Sequence, residues 1–464
     1  MTFLLGNGAG FSGDRVDAPI PVLRELVARG LPAAMFFETL AERTIALAHL
    51  ERRRDPNAGY EPMLERLLRP ILADAFHARI PLLGNWGAAN PAAGGRAVAR
   101  LALGLGLPEL RIAVVEGDDV TAIVAGGQLP VHEADEGLDL AAWNLIAANA
   151  YLGAEPLAEA LAMGADVVVA GRVSDPALAI APIMHHFGWA WDDWDRLALG
   201  AACGHLLECG SQVTGGVYWD PGFKDIPDPA TIGFPIAEIT AEGGLTITKP
   251  PGTGGVVNPQ VVKEQLLYEL HDPAAYLTPD VVLDISEAEV EQTGPDRVAL
   301  RGFRGHPRPE TLKVTASFEG SWLGEGEVSV AGPNALARAR ATADVLLRRL
   351  RLRGLPVTRA RVDLIGLASV HDSDEGALWR APTAYEPPEL RIRLAVEAAD
   401  RDAADQAARE VLALLCCGTA GTGGARWRVT PRILTRSHLL LRDRVQPRIT
   451  LRTASELAQG ELAR

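Results

Sequence analysis

The chain lacks any apolar run of the roughly 18 to 20 residues that a membrane-spanning helix needs, which excludes a helical span. It reaches its first strand almost at once, with no basic stretch and apolar core of a signal sequence, so a soluble, cytoplasmic protein with no membrane partner is expected. Basic residues are in deficit, 45 Lys and Arg against 59 Asp and Glu, for a formal charge of −14. That balance disfavours nucleic acid and anionic membranes, because both attract basic surfaces, although a local anion pocket stays open to it. Cysteine is scarce. Cys203, Cys209, Cys416 and Cys417 form neither a disulfide framework nor a paired CxxC zinc signature, and free thiols are expected. Lysine is scarcer in proportion, with only Lys224, Lys249, Lys263 and Lys313, so a lysine kept beside a glycine-rich loop, as Lys249 is, draws notice. No internal repeat and no low-complexity linker is evident.

What is present is a rhythm of short apolar strands, small polar loops and helices over the first 285 residues, the pattern of an α/β domain. A length of 464 residues implies two or three domains. The stretch Asp166 to Asp175 sets the type: three valines form a buried strand, Gly171 breaks it, and Ser174-Asp175-Pro176 reads as the cap and first turn of a helix. A run apolar on both sides belongs in a mostly parallel sheet with flanking helices, and such sheets bind ligands beyond the carboxyl ends of their strands. Arg172, Ser174 and Asp175 would then face a crevice; the plainer alternative is a capped helix with a surface ion pair. Similar turns follow strand Ala33 to Phe37, which ends at Glu38; strand Ile80 to Leu83, which opens onto Asn85; and strand Ile112 to Val115, which delivers Glu116. Leu138 to Met163 reads as helical, broken near Gly153.

The first strand runs into Gly8, Gly10, Ser12, Gly13, Asp14 and Arg15, with the spacing G-x-G-x-x-G. Three readings stand: a dinucleotide site with Glu38 as the ribose acid, a loop whose backbone N–H groups reach another anion, or a structural turn. Asp14 to Pro19 separates the last glycine from the helix, which disfavours NAD because pyrophosphate needs the helix N-terminus close by. Helix Trp194 to Gly210 places His205, Glu208 and Cys209 on one face, a pair that divides acid and base work or else a helix end packed through its leucines. Cys203, His205 and Cys209 lack zinc spacing, and no metal is expected. Gln212, with the loop Lys249 to Gly255 that includes Thr253, would wrap a phosphate or carboxylate, or form stiff surface turns. From about Ser286 alternating strands and long helices predict a second, α+β domain over residues 286–464, of a possibly ferredoxin-like kind, suited to packing or oligomerisation.

Gly8 to Arg15 (GAGFSGDR), Phe37 to Thr44 (FETLAERT), the Asn85 to Pro91 segment, Asn149 to Gly153, Ala170 to Asp175 (AGRVSD), Gly204 to Gly216 (GHLLECGSQVTGG), Lys249 to Gly255 and Tyr276 to Asp284 together resemble the acyclic terpene utilisation (AtuA) family. The resemblance covers roughly residues 3 to 320 and implies a setting in citronellol and geraniol breakdown, through branched acyl-CoA thioesters. It implies no chemical step. A C-terminal Arg-Ser-Gly-Asp-Lys-Gly motif of some members has no counterpart in this sequence.

The leading expectation is a cofactor-independent enzyme of the hydratase, hydrolase or lyase type acting on a small anionic carboxylate or acyl-CoA. Arg15, Arg172 and Lys249 would hold the anionic end, Glu208 with His205 would transfer protons, and Asn85 or the N–H groups of Gly8 to Gly13 would hold an oxyanion; Asp14, Glu38 and Glu116 would share the rim. A non-catalytic scaffold subunit of a pathway complex and an NAD(P)-dependent oxidoreductase are the alternatives. A homo-oligomer is expected.

Overall fold

The computed structural model describes residues 1–126 and 143–462. Strands β1 (Thr2–Ala9), β2 (Ala33–Phe37), β3 (Leu82–Gly84), β4 (Arg111–Glu116), β5 (Leu145–Ala150), β6 (Val167–Ala170), β7 (Ile236–Thr240) and β8 (Leu245–Thr248) come first in the chain. They are followed by β9 (Tyr276–Leu277), β10 (Val282–Asp284), β11 (Glu289–Gly294), β12 (Arg297–Arg301), β13 (Arg304–His306), β14 (Thr311–Ala331), β15 (Val357–Ile365), β16 (Glu389–Ala398), β17 (Thr422–Leu441) and β18 (Arg448–Thr453). Two compact units result, one from residues 1–126, 145–317 and 435–462, the other from residues 143–144 and 318–434.

The first unit is organised by a ten-stranded sheet in the order β11-β12-β8-β7-β1-β2-β3-β6-β4-β18. Only its centre is parallel: β1, β2, β3, β6 and β4 run the same way. The flanks are antiparallel, with β7, β8, β12 and β11 on one side and β18 on the other. The expectation of a mostly parallel sheet is therefore corrected to a mixed one. The parallel strands are apolar because both faces are covered. Leu4, Met35, Phe37, Val167 and Val169 join one core with Val22, Leu26 and Leu101 of helices Pro19–Arg29 and Pro91–Gly104. Leu5, Phe36 and Val168 are equally buried and alternate to the opposite side, and helix Ala177–Phe187 packs on β1 and β2.

The change of texture at about Ser286 falls inside this unit, because the charged hairpin β11–β12 extends the edge of the main sheet and β18 returns to β4 from far along the chain. The helical reading of Leu138 to Met163 fails over its described part. Leu145–Ala150 is a strand, and only Glu155–Ala162 is a helix; residues 138–142 lie outside the described ones. Alanine-rich segments favour helix in isolation, but Ile146 to Ala150 are buried and Tyr151 N–H donates to Lys313 O at 2.9 Å beside the start of β14. The strand expected at Val281 to Asp284 appears as β10, in a separate three-stranded sheet of order β13-β10-β9.

In the second unit β15, β16, β14 and β17 lie in that order, with Trp322–Ala331 antiparallel to Glu389–Ala398. Helices Ala335–Leu352 and Glu410–Cys417 contribute Leu336, Leu346, Val411 and Leu414 to its core.

Candidate active site

Five parallel strands end at one edge of the sheet, so the residues that follow each of them meet there. Glu38 follows β2, Asn85 follows β3, Gly171 and Arg172 follow β6, and Asp118 lies two residues beyond β4. One carboxylate oxygen of Glu38 accepts from Leu40 N at 2.7 Å and from Asn85 Nδ2 at 2.9 Å. Asn85 Oδ1 accepts in turn from Thr39 N at 2.8 Å. Asn85 ties the turn after β2 to that after β3.

Arg172 is the hub. Its side chain is buried, its Nη1 donates to Leu40 O, and its Nη2 lies 3.0 Å from Asp175 Oδ1. The guanidinium stacks on Tyr151, and its backbone N–H donates to Asp118 Oδ2 at 2.9 Å. A second partner of that carboxylate is Asn149, whose Nδ2 donates to Oδ2 at 2.8 Å. Gly171 is required here: a Cβ would lie 2.3 Å from Asp118 Oδ1. Tyr151 hydroxyl donates to Glu42 at 2.5 Å, and Lys313 reaches the same carboxylate oxygen at 3.2 Å.

Charge is unevenly shared in this cluster. Burial raises the Asp175 carboxyl well above the usual range; Arg172 opposes this, and the neighbouring Glu38, Glu208 and Glu42 reinforce it. Burial likewise raises Glu38, against the pull of Arg172. One guanidinium is shared among several buried carboxylates, which leaves the Asp175 and Glu38 carboxyls raised toward the protonated form. Burial takes Asp118 up to about 6. Glu42 goes the other way, to about 2, because its hydrogen bond from Tyr151 and the charges of Arg172 and Lys313 outweigh its burial.

Helix Trp194–Leu207 delivers the second half of the site at its C-terminal end. His205 Nδ1 lies 3.3 Å from Glu208 Oε1, and the His205 ring packs against Tyr276 at 5.3 Å between centroids. Burial raises the Tyr276 hydroxyl well above its ordinary value, with Glu208 and Asp175 adding to it. This helix end is seated on the β1 loop, where the Cα of Gly10 abuts the Cys209–Gly210 peptide. Within this cluster three buried polar atoms have no partner among the described residues: Arg172 Nε, His205 Nε2 and Glu208 Oε2. Each such atom costs about 1–3 kcal/mol when left unsatisfied, and their concentration in one cluster makes it the candidate site.

The remaining sequence candidates are placed at the same edge but are occupied otherwise. Gly8 lies within β1 against Phe37, and the helix begins only at Pro19, so the glycine spacing does not form a strand-to-helix turn. Asp14 uses its two oxygens on Gly10 N at 2.8 Å and Arg15 N at 2.7 Å. Arg15 pairs with Asp17 at 2.8 Å and donates to Ile232 O. Lys249 pairs with Asp296 at 3.2 Å and donates to Thr253 O at 2.8 Å, holding its own loop. Thr253 hydroxyl donates to Pro250 O. Glu116 stands opposite Arg448 in the β4–β18 register, Gln212 sits half-buried in the turn Gly210–Thr214, and Ser174 is buried with its N–H on Leu152 O. Gly13 has a φ of 90°. Among the described residues no cluster of three or more His, Cys, Asp or Glu is arranged to hold a metal ion.

A cleft of about 620 Å³ adjoins the cluster at Leu40, whose carbonyl binds Arg172 and whose side chain lines the cleft wall. Leu47, Ala48 and Pro62 supply apolar wall, and Glu51, Glu61 and Arg66 bring charge to it. Sequence reasoning missed Asp118, Tyr151, Glu42 and Lys313 as members of the site. The Glu116-Gly117-Asp118 turn carried a signal for the first; the other three depend on β5 and β14 lying together.

A family model described as acyclic terpene utilisation family protein AtuA matches residues 3–451. No curated protein and no solved structure matches the chain.

Proposed function

The chain belongs to the acyclic terpene utilisation family AtuA, and from that premise we propose that it is an acid–base enzyme of the hydratase or lyase type acting on a carbonyl-bearing substrate, a carboxylate or an acyl thioester. The observation that carries this reading is the set of unpartnered atoms on Arg172, His205 and Glu208, beside the Arg172–Asp175 ion pair. Together they offer one fixed cationic donor, one free carboxylate oxygen and a ring nitrogen, with the Asp175 carboxyl alongside. Arg172 Nε would donate to the substrate carbonyl or carboxylate oxygen and stabilise negative charge developing there. With Glu208 accepting from Nδ1, His205 presents Nε2 as an acceptor, the arrangement of a general base. Asp175, raised by burial, is a proton donor matched to it. An acid and a base at one carbonyl are what addition or removal of water, or cleavage of a carbon–carbon bond beside a carbonyl, requires. The cleft next to Leu40, with apolar wall and charged rim, would take the remainder of the substrate.

The test is a panel of carboxylates and acyl thioesters assayed by mass spectrometry for gain or loss of water and for chain cleavage. Turnover by the wild type that falls about 100-fold or more in His205→Ala and Glu208→Gln, with both variants folded, is the expected result. Full turnover in both variants removes the assignment.

A further inference from the structure

Two of the four cysteines are consecutive. Cys416 and Cys417 are both exposed at the end of helix Glu410–Cys417, whereas Cys203 is buried and Cys209 half-buried. Burial pushes the thiols of Cys203 and Cys209 well up and makes them poor nucleophiles. The exposed pair sits at the helix C-terminus. Gly418 leaves the helix in an extended conformation, with φ −81° and ψ −175°, and Leu415 to Cys417 face outward, while Val411 and Leu414 one turn earlier hold the helix in the core. Cys417 Sγ rests on Ala413 O at 2.8 Å, a contact that is given up by rotating one side chain.

A direct disulfide between neighbours is disfavoured. Consecutive Cα atoms are about 3.8 Å apart, short of the roughly 4.4–6.8 Å that ordinary disulfides span, so the ring would be strained and readily reduced. An atom inserted between the sulfurs relieves that limit. We propose that Cys416 and Cys417 form a vicinal dithiol site that chelates soft, thiol-seeking ligands with two exchangeable positions, of which trivalent arsenicals are the type. With phenylarsine oxide, both S–H bonds break, two As–S bonds form, and the oxygen leaves as water carrying both protons. No electrons are transferred, and no oxidant is needed.

The full-length protein is treated with phenylarsine oxide, and the remaining thiols are counted with a chromogenic aromatic disulfide before and after unfolding. One equivalent is expected to silence both fast-reacting thiols, with release by a dithiol and not by the same concentration of a monothiol. Cys416→Ser and Cys417→Ser should each weaken binding by on the order of 100-fold or more, since the second bond becomes intermolecular. Cys209→Ser should bind as the wild type does. A need for two equivalents, equal release by monothiol, or unchanged affinity in either single variant of the pair overturns the site. Because the readout is thiol protection, failure here leaves the acid–base reading untouched.

Discussion

The guanidinium carbon of Arg172 lies 4.0 Å from the centre of the Tyr151 ring, and the hydroxyl of that ring is committed to Glu42 at 2.5 Å. The ring therefore fixes the plane in which Arg172 presents its unpartnered Nε, while the hydroxyl only ties the ring to a neighbour. The two functions separate by substitution. Tyr151→Phe keeps the stack and removes the bond to Glu42 and the one accepted from Thr315 Oγ1, and is expected to cost about 1.5–3 kcal/mol. Tyr151→Ala opens the cluster and should cost about 3–5 kcal/mol, with loss of whatever ligand binding is found. Equal losses in both, measured by urea unfolding, would contradict this division.

Arg172 itself should be the most sensitive position of the site. Arg172→Ala strands Asp175 and Glu38 in a buried setting without their cation, and a loss of about 3–5 kcal/mol is expected near neutral pH. The loss should shrink in acid, because protonated carboxyls no longer need the cation. Arg172→Lys restores charge without the planar fork, so it should recover stability but not ligand binding. A loss that is the same at pH 5 and pH 8, in thermal melts, would show that charge compensation is not the cause.

Gly10 couples the β1 loop to the helix end that carries His205 and Glu208. A Cβ there would lie 2.5 Å from both Cys209 C and Gly210 N, backbone atoms that cannot rotate away. Gly10→Ala is expected to destabilise by about 1–3 kcal/mol and to displace the His205–Glu208 pair. Gly104→Ala is the control. It has open space around it at the end of helix Pro91–Gly104 and should be neutral or stabilising by up to about 1 kcal/mol. If the two substitutions shift the melting temperature alike, the close approach has no energetic weight.

The parallel centre of the fold was legible because its strands obey local rules: short apolar runs such as Met35–Phe37 and Val167–Val169, each closed by glycine or a polar turn. That reading also brought Glu38, Asn85, Arg172, Asp175, His205 and Glu208 to one edge. It failed where the decisive contacts are remote in sequence. Nothing within Leu145–Ala150 distinguishes a strand from a helix until Lys313 supplies a partner, and β18 joins β4 across more than half the chain. Charged residues were the other weak point. Arg15 and Lys249 carry the right charge in the right loops, but Asp17 and Asp296 neutralise them, and a pairing of that kind depends on rotamers that composition does not encode.

Asp280 provides a test of burial that is independent of any substrate. Its Oδ1 accepts from Ala154 N at 2.8 Å, its Oδ2 has no partner among the described residues, and burial raises its carboxyl from 3.8 to about 6. The folded chain therefore holds a proton between about pH 4 and 6 that the unfolded chain releases. Stability from this group is complete below the unfolded value and declines as pH rises through the folded one; above it, the buried charge costs on the order of 3 kcal/mol. Asp118 is raised to about 6 by the same cause and adds a decline of the same sign. Asp280→Asn keeps an acceptor for Ala154 and cannot ionise. It should flatten part of the wild-type decline and be the more stable protein at pH 8, while matching or trailing the wild type at pH 4. Urea unfolding at the two pH values decides it: a variant less stable than wild type by the same amount at both would mean that Asp280 is neutral throughout or that its charge is compensated.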